Sequence, residues 1–356
     1  MVKNNPDARK KRLEKLEQYL AKHSCDYYLT SLEHEIYYFT GVAVEGHFLY
    51  GGGYDLLLTN PLYYEDAVQK SLTGTIDCLK DDYTKELKGR LKDLPKGRFL
   101  ISNQERVITY LHLKRSGHKV KIVSTQPLRS IKDDGEINAI MKAYEIIEKA
   151  VIESLSTVRE GITELDLKAE IAYRIRKNGA ESDSFEHIVV FGEKASVPHA
   201  KSGMRKLKKG DLILIDAGAR YMGYCSDITR CFSFGNNSEE PFKYYRYLKE
   251  AQEAAEASLT LNPRAKKADR AARKVLKKYG LEEYFTHSLG HGLGLEIHEA
   301  PYLSVRSNDV IEDGMVFTIE PGLYFSGKYG LRLEDGYYFF KKPVKLSKLS
   351  HELIIL

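Results

Sequence analysis

Leu212-Ile213-Leu214-Ile215 is an unbroken apolar run that ends in a carboxylate, Asp216. Eleven residues later Asp227 opens Ile228-Thr229-Arg230, after Gly223-Tyr224-Cys225-Ser226. The run reads as a buried strand and the second stretch as its return partner. A turn centred on Tyr221-Met222 makes Asp216 and Asp227 cross-strand neighbours, with Cβ atoms about 4.5–5.5 Å apart, a costly placement for like charges. Two bare charges about 4 Å apart repel by roughly 4 kcal/mol at an effective dielectric near 20. Something positive is expected between them. Turn capping by the two Asp is the other reading, and a second pair weakens it. Glu320 and Glu334 flank a loop whose midpoint is Gly327, in Ile319-Glu320-Pro321-Gly322 and Leu331-Arg332-Leu333-Glu334-Asp335.

Before these hairpins the chain alternates short strands and helices. Residues 7–23 have Leu13, Leu16 and Leu20 on one helical face. Strands are expected at 26–30, 48–50, 55–59, 75–79, 98–101 and 119–124. Helices are expected at 35–39, 63–72, 83–94 and 105–115. That alternation predicts an α/β domain with a mixed sheet over residues 1–126. His34, His47, His112 and His118 are isolated there and read as surface or core residues. Residues 127–132 read as a linker, with Asp133 or Asp134 capping the next helix. Residues 127–356 form the second domain, of α+β type. Its helices are expected at 136–155, from a capping box at Thr163 and Asp166 to Asn178-Gly179, at 242–258 and at 265–278. The order helices, glycine stop, His-bearing strand, carboxylate hairpin occurs twice. The first half offers His199, Asp216 and Asp227; the second offers His291, His298, Glu320 and Glu334. Two pseudo-twofold halves place a site at their interface.

Composition excludes several classes. A hydrophobic fraction of 42% and a charged fraction of 29% fit a soluble globular chain. The net charge of +5 is spread over Lys-rich helices and is no nucleic-acid footprint. No apolar run approaches the 18 or so residues that span a membrane. Met1-Val2-Lys3-Asn4-Asn5 leads into a charged helix without an apolar signal core. Cys25, Cys78, Cys225 and Cys231 show neither metal-knuckle nor disulfide spacing, so a reducing cytoplasm is expected.

Two Asp, two Glu and a neutral His carry four negative charges, which two divalent cations balance. Oxygen-rich ligation with one imidazole suits Mn(II) or Co(II), and Zn(II) also fits. Two metals about 3.5–4 Å apart can share a hydroxide and clamp substrate oxygens, the chemistry of amide hydrolysis. His291 lies in Leu289-Gly290-His291-Gly292-Leu293-Gly294, where glycine permits close approach. His298, in Ile297-His298-Glu299-Ala300-Pro301, belongs to no His-Glu-x-x-His helix, which excludes the single-zinc metalloprotease pattern. The two histidines are an odd number of residues apart, so a regular strand would point them to opposite faces. One can ligate while the other works from a bulge or loop, in an outer-shell or proton-transfer role. A hydrogen-bonded core histidine remains the alternative for either.

At these residues the chain resembles the pita-bread metallopeptidases, specifically the Xaa-Pro peptidases (proline dipeptidase and aminopeptidase P). The likeness is strong over 184–336; residues before the linker resemble the creatinase-type N-terminal domain. The resemblance implies that Asp216, Asp227, His291, Glu320 and Glu334 bind two metals, with Asp227 and Glu334 bridging. It implies that His298 contacts substrate and steadies the tetrahedral intermediate, that His199 and His287 line the substrate site, and that Glu320 relays a proton. Arg332 matches the family's Arg before the last Glu and either holds a carboxylate or orients Glu334. Tyr302 stands where some prolidases carry an Arg for the dipeptide carboxylate, and Gly192-Glu193-Lys194 replaces a frequent Gly-x-Asn. The implied partners are peptides with proline second, and the implied assembly is a homodimer. Two other readings stay open: a methionine aminopeptidase, whose family lacks such an N-terminal domain, and a non-catalytic binding protein on the same fold.

Overall fold

The computed structural model describes residues 5–261 and 263–356; the reading of the segment up to Asn4 lies outside them. The chain divides into two compact units, Met1–Arg129 and Ser130–Leu356.

The first unit runs α1 (Pro6–Lys22), β1 (Tyr27–Thr30), α2 (Glu33–Thr40), β2 (Gly46–Gly51), β3 (Tyr54–Thr59), α3 (Pro61–Lys70), β4 (Thr75–Cys78), α4 (Tyr83–Asp93), β5 (Arg98–Ser102), α5 (Val107–Arg115) and β6 (Lys119–Val123), then the short α6 (Pro127–Ser130). Its six strands form one mixed sheet in the order β4-β3-β2-β1-β5-β6. Asn5, Asn60 and Asp82 cap α1, α3 and α4 with side-chain oxygens, which satisfies amides that the first helical turn leaves unpaired.

The division falls within the segment expected as a linker, 127–132, and that segment is packed. Leu128, Arg129, Ser130 and Lys132 are all buried. Tyr38 donates to the Leu128 carbonyl at 2.8 Å, and the Arg129 guanidinium lies 3.2 Å from Glu35. Glu35 also accepts from Tyr28, Thr30 and Thr125. A fully buried carboxylate needs these donors, and they tie residues 125–129 to the first unit.

The second unit opens with α7 (Asp134–Ser154) and α8 (Glu164–Lys177), started by capping boxes at Asp133/Glu136 and Thr163/Asp166. There follow β7 (Ser182–Asp183), β8 (Ile188–Phe191), β9 (Leu212–Ala217), β10 (Ala219–Tyr221), β11 (Tyr224–Cys225), β12 (Ile228–Ser233), α9 (Glu239–Leu261) and α10 (Ala265–Lys278). The chain ends with β13 (Gly290–Gly292), β14 (Glu299–Leu303), β15 (Val316–Ile319), β16 (Gly322–Phe325), β17 (Tyr329–Arg332), β18 (Asp335–Phe340), β19 (Lys342–Lys345) and β20 (Ile354–Ile355).

Two sheets repeat one plan. In the first, β8, β9 and β12 are successive antiparallel neighbours; in the second, β13, β15 and β18 are. Each follows a helix pair, α7 with α8 and α9 with α10. The all-apolar run of β9 has a simple cause. Leu212 and Leu214 enter one core cluster, Ile213 and Ile215 another, so both faces of the strand are buried.

Candidate metal centre

The turn between the two Asp lies one residue later than expected. Tyr221 pairs with Tyr224, so the turn residues are Met222 and Gly223. Both have positive φ, 51° and 81°, as a two-residue hairpin turn of primed type requires. Asp216 consequently faces Thr229, not Asp227. The offset is two residues, and side chains alternate with period two, so both carboxylates keep the same face as diagonal neighbours. Gly218 divides the strand here because a Cβ on it would stand 2.0 Å from the Ser226 carbonyl oxygen.

The second hairpin has the expected register. Ile319 pairs with Asp335 and Gly322 with Arg332, which sets Glu320 opposite Glu334 and Gly327 at the tip. A bridge joins the two hairpins. The Glu334 amide donates to the Thr229 carbonyl at 3.2 Å, and Thr229 Oγ1 donates to Glu334 Oε2 at 2.6 Å.

His291 comes from β13, where the pairing with β14 breaks register at His291/Gly292. Its Nδ1 lies 3.1 Å from the Gly292 carbonyl, so Nδ1 carries the proton and Nε2 presents a lone pair. That lone pair faces Asp227 Oδ2 at 3.6 Å and Glu320 Oε1 at 3.5 Å. Ligand atoms of Asp227, His291 and Glu334 all lie within 4.8 Å of one another. Asp216 Oδ1 and Asp227 Oδ1 are buried without a hydrogen-bond partner. Acceptors facing acceptors, with orphaned buried oxygens among them, fit a site built for cations.

The electrostatics agree. Burial first, then Glu334, Asp216 and Glu320, drive the Asp227 carboxyl well above the usual range. Burial and Glu334 do the same to Glu320. Glu334 is pushed up to about 8 by burial and Asp216. Burial holds His291 and His287 down to about 3, which keeps both imidazoles neutral.

One cavity of about 470 Å³ is lined by Asp216, Asp227, His291, Glu320, Glu334, His298, His199, His287, Arg332 and Tyr302. All the residues singled out in the sequence therefore meet, and Phe185, Ile188, Pro198 and Ile297 supply an apolar wall. His298 sits on the loop before β14, its ring edge-on to His291 with centroids 4.3 Å apart. His298 and His199 are exposed to the cavity; Tyr302 is 41% exposed at its rim.

Arg332 and His287 are less available. Arg332 Nη2 lies 2.5 Å from Asp216 Oδ2, its Nε donates to Thr229 Oγ1 at 2.9 Å, and its Nη1 donates to Tyr324 Oη at 2.8 Å. Tyr324 in turn lies 2.9 Å from His287 Nε2, and His287 Nδ1 lies 2.8 Å from the Ser288 carbonyl. Arg332 donates only, so the tyrosine hydroxyl gives its proton to His287. Both ring nitrogens of His287 are thus engaged by protein groups.

Sequence reasoning missed Thr229 and Tyr324. Tyr324 follows Glu320 at an even spacing along the β15–β16 stretch, and Thr229 stands opposite Asp216, so strand alternation and the true register point to both.

Repeated helix-pair and sheet halves, presenting a buried acidic cavity with a neutral imidazole, are the architecture of a metal-dependent hydrolase. Comparison with known proteins gives the family. The model of metallopeptidase family M24 matches residues 138–339, and that of the creatinase/prolidase N-terminal domain matches residues 12–131. The chain belongs to metallopeptidase family M24.

It is 34% identical to the Xaa-Pro dipeptidase of Pyrococcus furiosus over 97% of this chain and all of that one. A solved Xaa-Pro dipeptidase from Bacillus anthracis superposes with a TM-score of 0.91 at 31% identity, covering 98% of this chain and 100% of that one. An X-Pro aminopeptidase from Thermotoga maritima superposes with a TM-score of 0.86 at 32% identity, covering 94% and 98%. The expected creatinase-type N-terminal domain followed by a pita-bread catalytic domain holds. No helix among the described residues is long and apolar enough to cross a membrane.

Proposed function

We propose that this chain is a two-metal exopeptidase that hydrolyses the bond between an N-terminal residue and proline, in dipeptides or at peptide N-termini. The observation that carries the reading is the His291 Nε2 lone pair, aimed at the carboxylates of Asp227 and Glu320. Asp216, Asp227, His291, Glu320 and Glu334 would hold the ions, with Asp227 and Glu334 shared. The oxygen-rich set favours Mn(II) or Co(II), with Zn(II) as the third choice. Bound there, divalent ions would activate a water and polarise the scissile carbonyl.

The protein's own groups do the rest. Glu320 takes the proton from the attacking water and returns it to the departing proline nitrogen. His298, neutral and open to the cavity, donates an N–H to the carbonyl oxygen as charge builds on it. His199 stands at the cavity mouth, and His287, Arg332 and Tyr302 shape the substrate side. Arg332 also steadies Asp216 directly and Glu334 through Thr229. We propose a cytoplasmic homodimer, which light scattering of the purified chain would check.

The deciding assay offers purified protein, loaded with Mn(II) or Co(II), Xaa-Pro dipeptides and Xaa-Pro-Xaa peptides. Cleavage at proline is expected in one set or both. Metal-loaded protein that cuts neither ends the proposal. A Met-Gly-x peptide in the same assay separates off methionine aminopeptidase activity.

A further inference from the structure

A buried ion pair outside the cavity has no part in the chemistry above. Lys132 Nζ lies 2.8 Å from Glu299 Oε1, and the two side chains are 1% and 2% exposed. A pair this deep gains little over apolar side chains of equal volume, so stability alone does not account for it.

Its position suggests a use. Lys132 is fixed at its base, for its amide donates to the Gly314 carbonyl at 2.9 Å and its Nζ to the Ser130 carbonyl at 3.1 Å. Glu299 follows His298 directly and opens β14. The pairing of Gly292 with Glu299 closes the base of loop 293–298, just after the register break at His291/Gly292. The Glu299 carboxylate fills the space over Gly294, where a Cβ would stand 2.5 Å from Oε1. One carboxylate thus packs against the outgoing arm of the loop and is covalently next to the end of the return arm. Over that base the His291 and His298 rings meet.

We propose that Lys132, acting through Glu299, is a positioning residue that holds the His298 imidazole against His291 and toward the cavity. The inference rests on the reading of His298 as a substrate-contacting group. Lys132 does not line the cavity, so any effect it has on turnover passes through the loop.

A double-mutant cycle tests this. Lys132→Met alone would strand a buried carboxylate, so the variant measured is Lys132→Met/Glu299→Gln, which removes both charges, with Tm as the check on folding. Its kcat on an Xaa-Pro substrate is expected to fall about tenfold, the scale of a slightly misplaced catalytic group, with metal content per chain as in wild type. In a His298→Ala background the same two substitutions are expected to change kcat less than about twofold, because the group they position is gone. Losses that multiply in the two backgrounds overturn the proposal, as does full kcat in the charge-free variant. Lys132→Gln, uncharged but able to donate to Glu299, enters the same cycle if the double substitution does not fold.

A measurement without turnover separates this claim from the peptidase reading. In the metal-free chain, the His298 ring resonances (assigned by their loss in His298→Ala) are expected to shift or broaden in the charge-free variant, while those of His351 stay in place. Unmoved His298 resonances overturn the positioning role. Shifted resonances in a chain that cleaves no Xaa-Pro peptide would leave that role standing and sink only the peptidase reading.

Discussion

At the scale of single residues, shared ligation and substrate contact separate in their consequences. Asp227 and Glu334 approach His291 together, and in the proposed site both are shared between cations. Asp227→Asn or Glu334→Gln is expected to abolish activity and weaken metal binding, read by peptide assay and by metal analysis of the same samples. His298→Ala is expected to lower kcat about 100-fold, the scale of one lost oxyanion donor, while metal content stays near wild type. Equal metal loss in both kinds of variant would show that His298 ligates. Thr229 offers a subtler case. Its hydroxyl donates to Glu334 and accepts from Arg332, so it orients a proposed ligand without itself being one. Thr229→Val keeps the volume and removes the relay. It is expected to weaken metal affinity about 10- to 100-fold, measured by competition with a chelator.

At the scale of elements, hairpin geometry decides whether the carboxylates meet. Gly218 sits where β9 gives way to β10, against the Ser226 carbonyl. Gly218→Ala forces the two backbones apart at the point that carries Asp216 and Asp227. A loss of more than about 3 kcal/mol is expected, read from denaturant midpoints, because backbone has no rotamer with which to yield. Much of this layout was legible in the sequence. The glycine-tipped second hairpin was readable because Gly327 marks its own turn, with φ of 70°. The first was misread by two residues of pairing because its turn uses Met222 at positive φ, where Asn or Asp would have signalled the type. The face survived that error because strand periodicity is two. The linker was readable as a junction, since the division falls between Arg129 and Ser130, but nothing in its Pro and Ser marked it as buried. Only the structure shows Arg129 spent on a buried Glu35. The commitment of Arg332 and His287 to Tyr324 was out of reach as well, since it depends on which side chains lie across a strand pair.

At the scale of the whole molecule, the repeated halves build a charge problem that folding alone does not solve. Each hairpin brings two carboxylates to one buried place, and among the described residues Arg332 is the permanent cation that meets them directly, through Asp216. Without metal the cluster relieves itself by keeping protons. Glu334 holds its proton up to about 8, against an ordinary 4.5, and Asp227 and Glu320 move the same way. Between those two values the folded chain retains protons that the unfolded chain has released. Unfolding then releases protons, so stability falls as pH rises through that interval. Below pH 6.5 the buried imidazoles of His291 and His287, held down to about 3, act with the opposite sign, so the metal-free protein is expected to lose on the order of a few kcal/mol between pH 6.5 and pH 8, seen as a falling Tm. Divalent cations take the place of those protons and bind more tightly as pH rises, because the ligands must be deprotonated. Saturating Mn(II) is accordingly expected to raise Tm most at pH 8 and least at pH 5, flattening or reversing the slope. A metal-free Tm that stays level or climbs over this range would show that Asp227, Glu320 and Glu334 do not keep their protons in the folded chain.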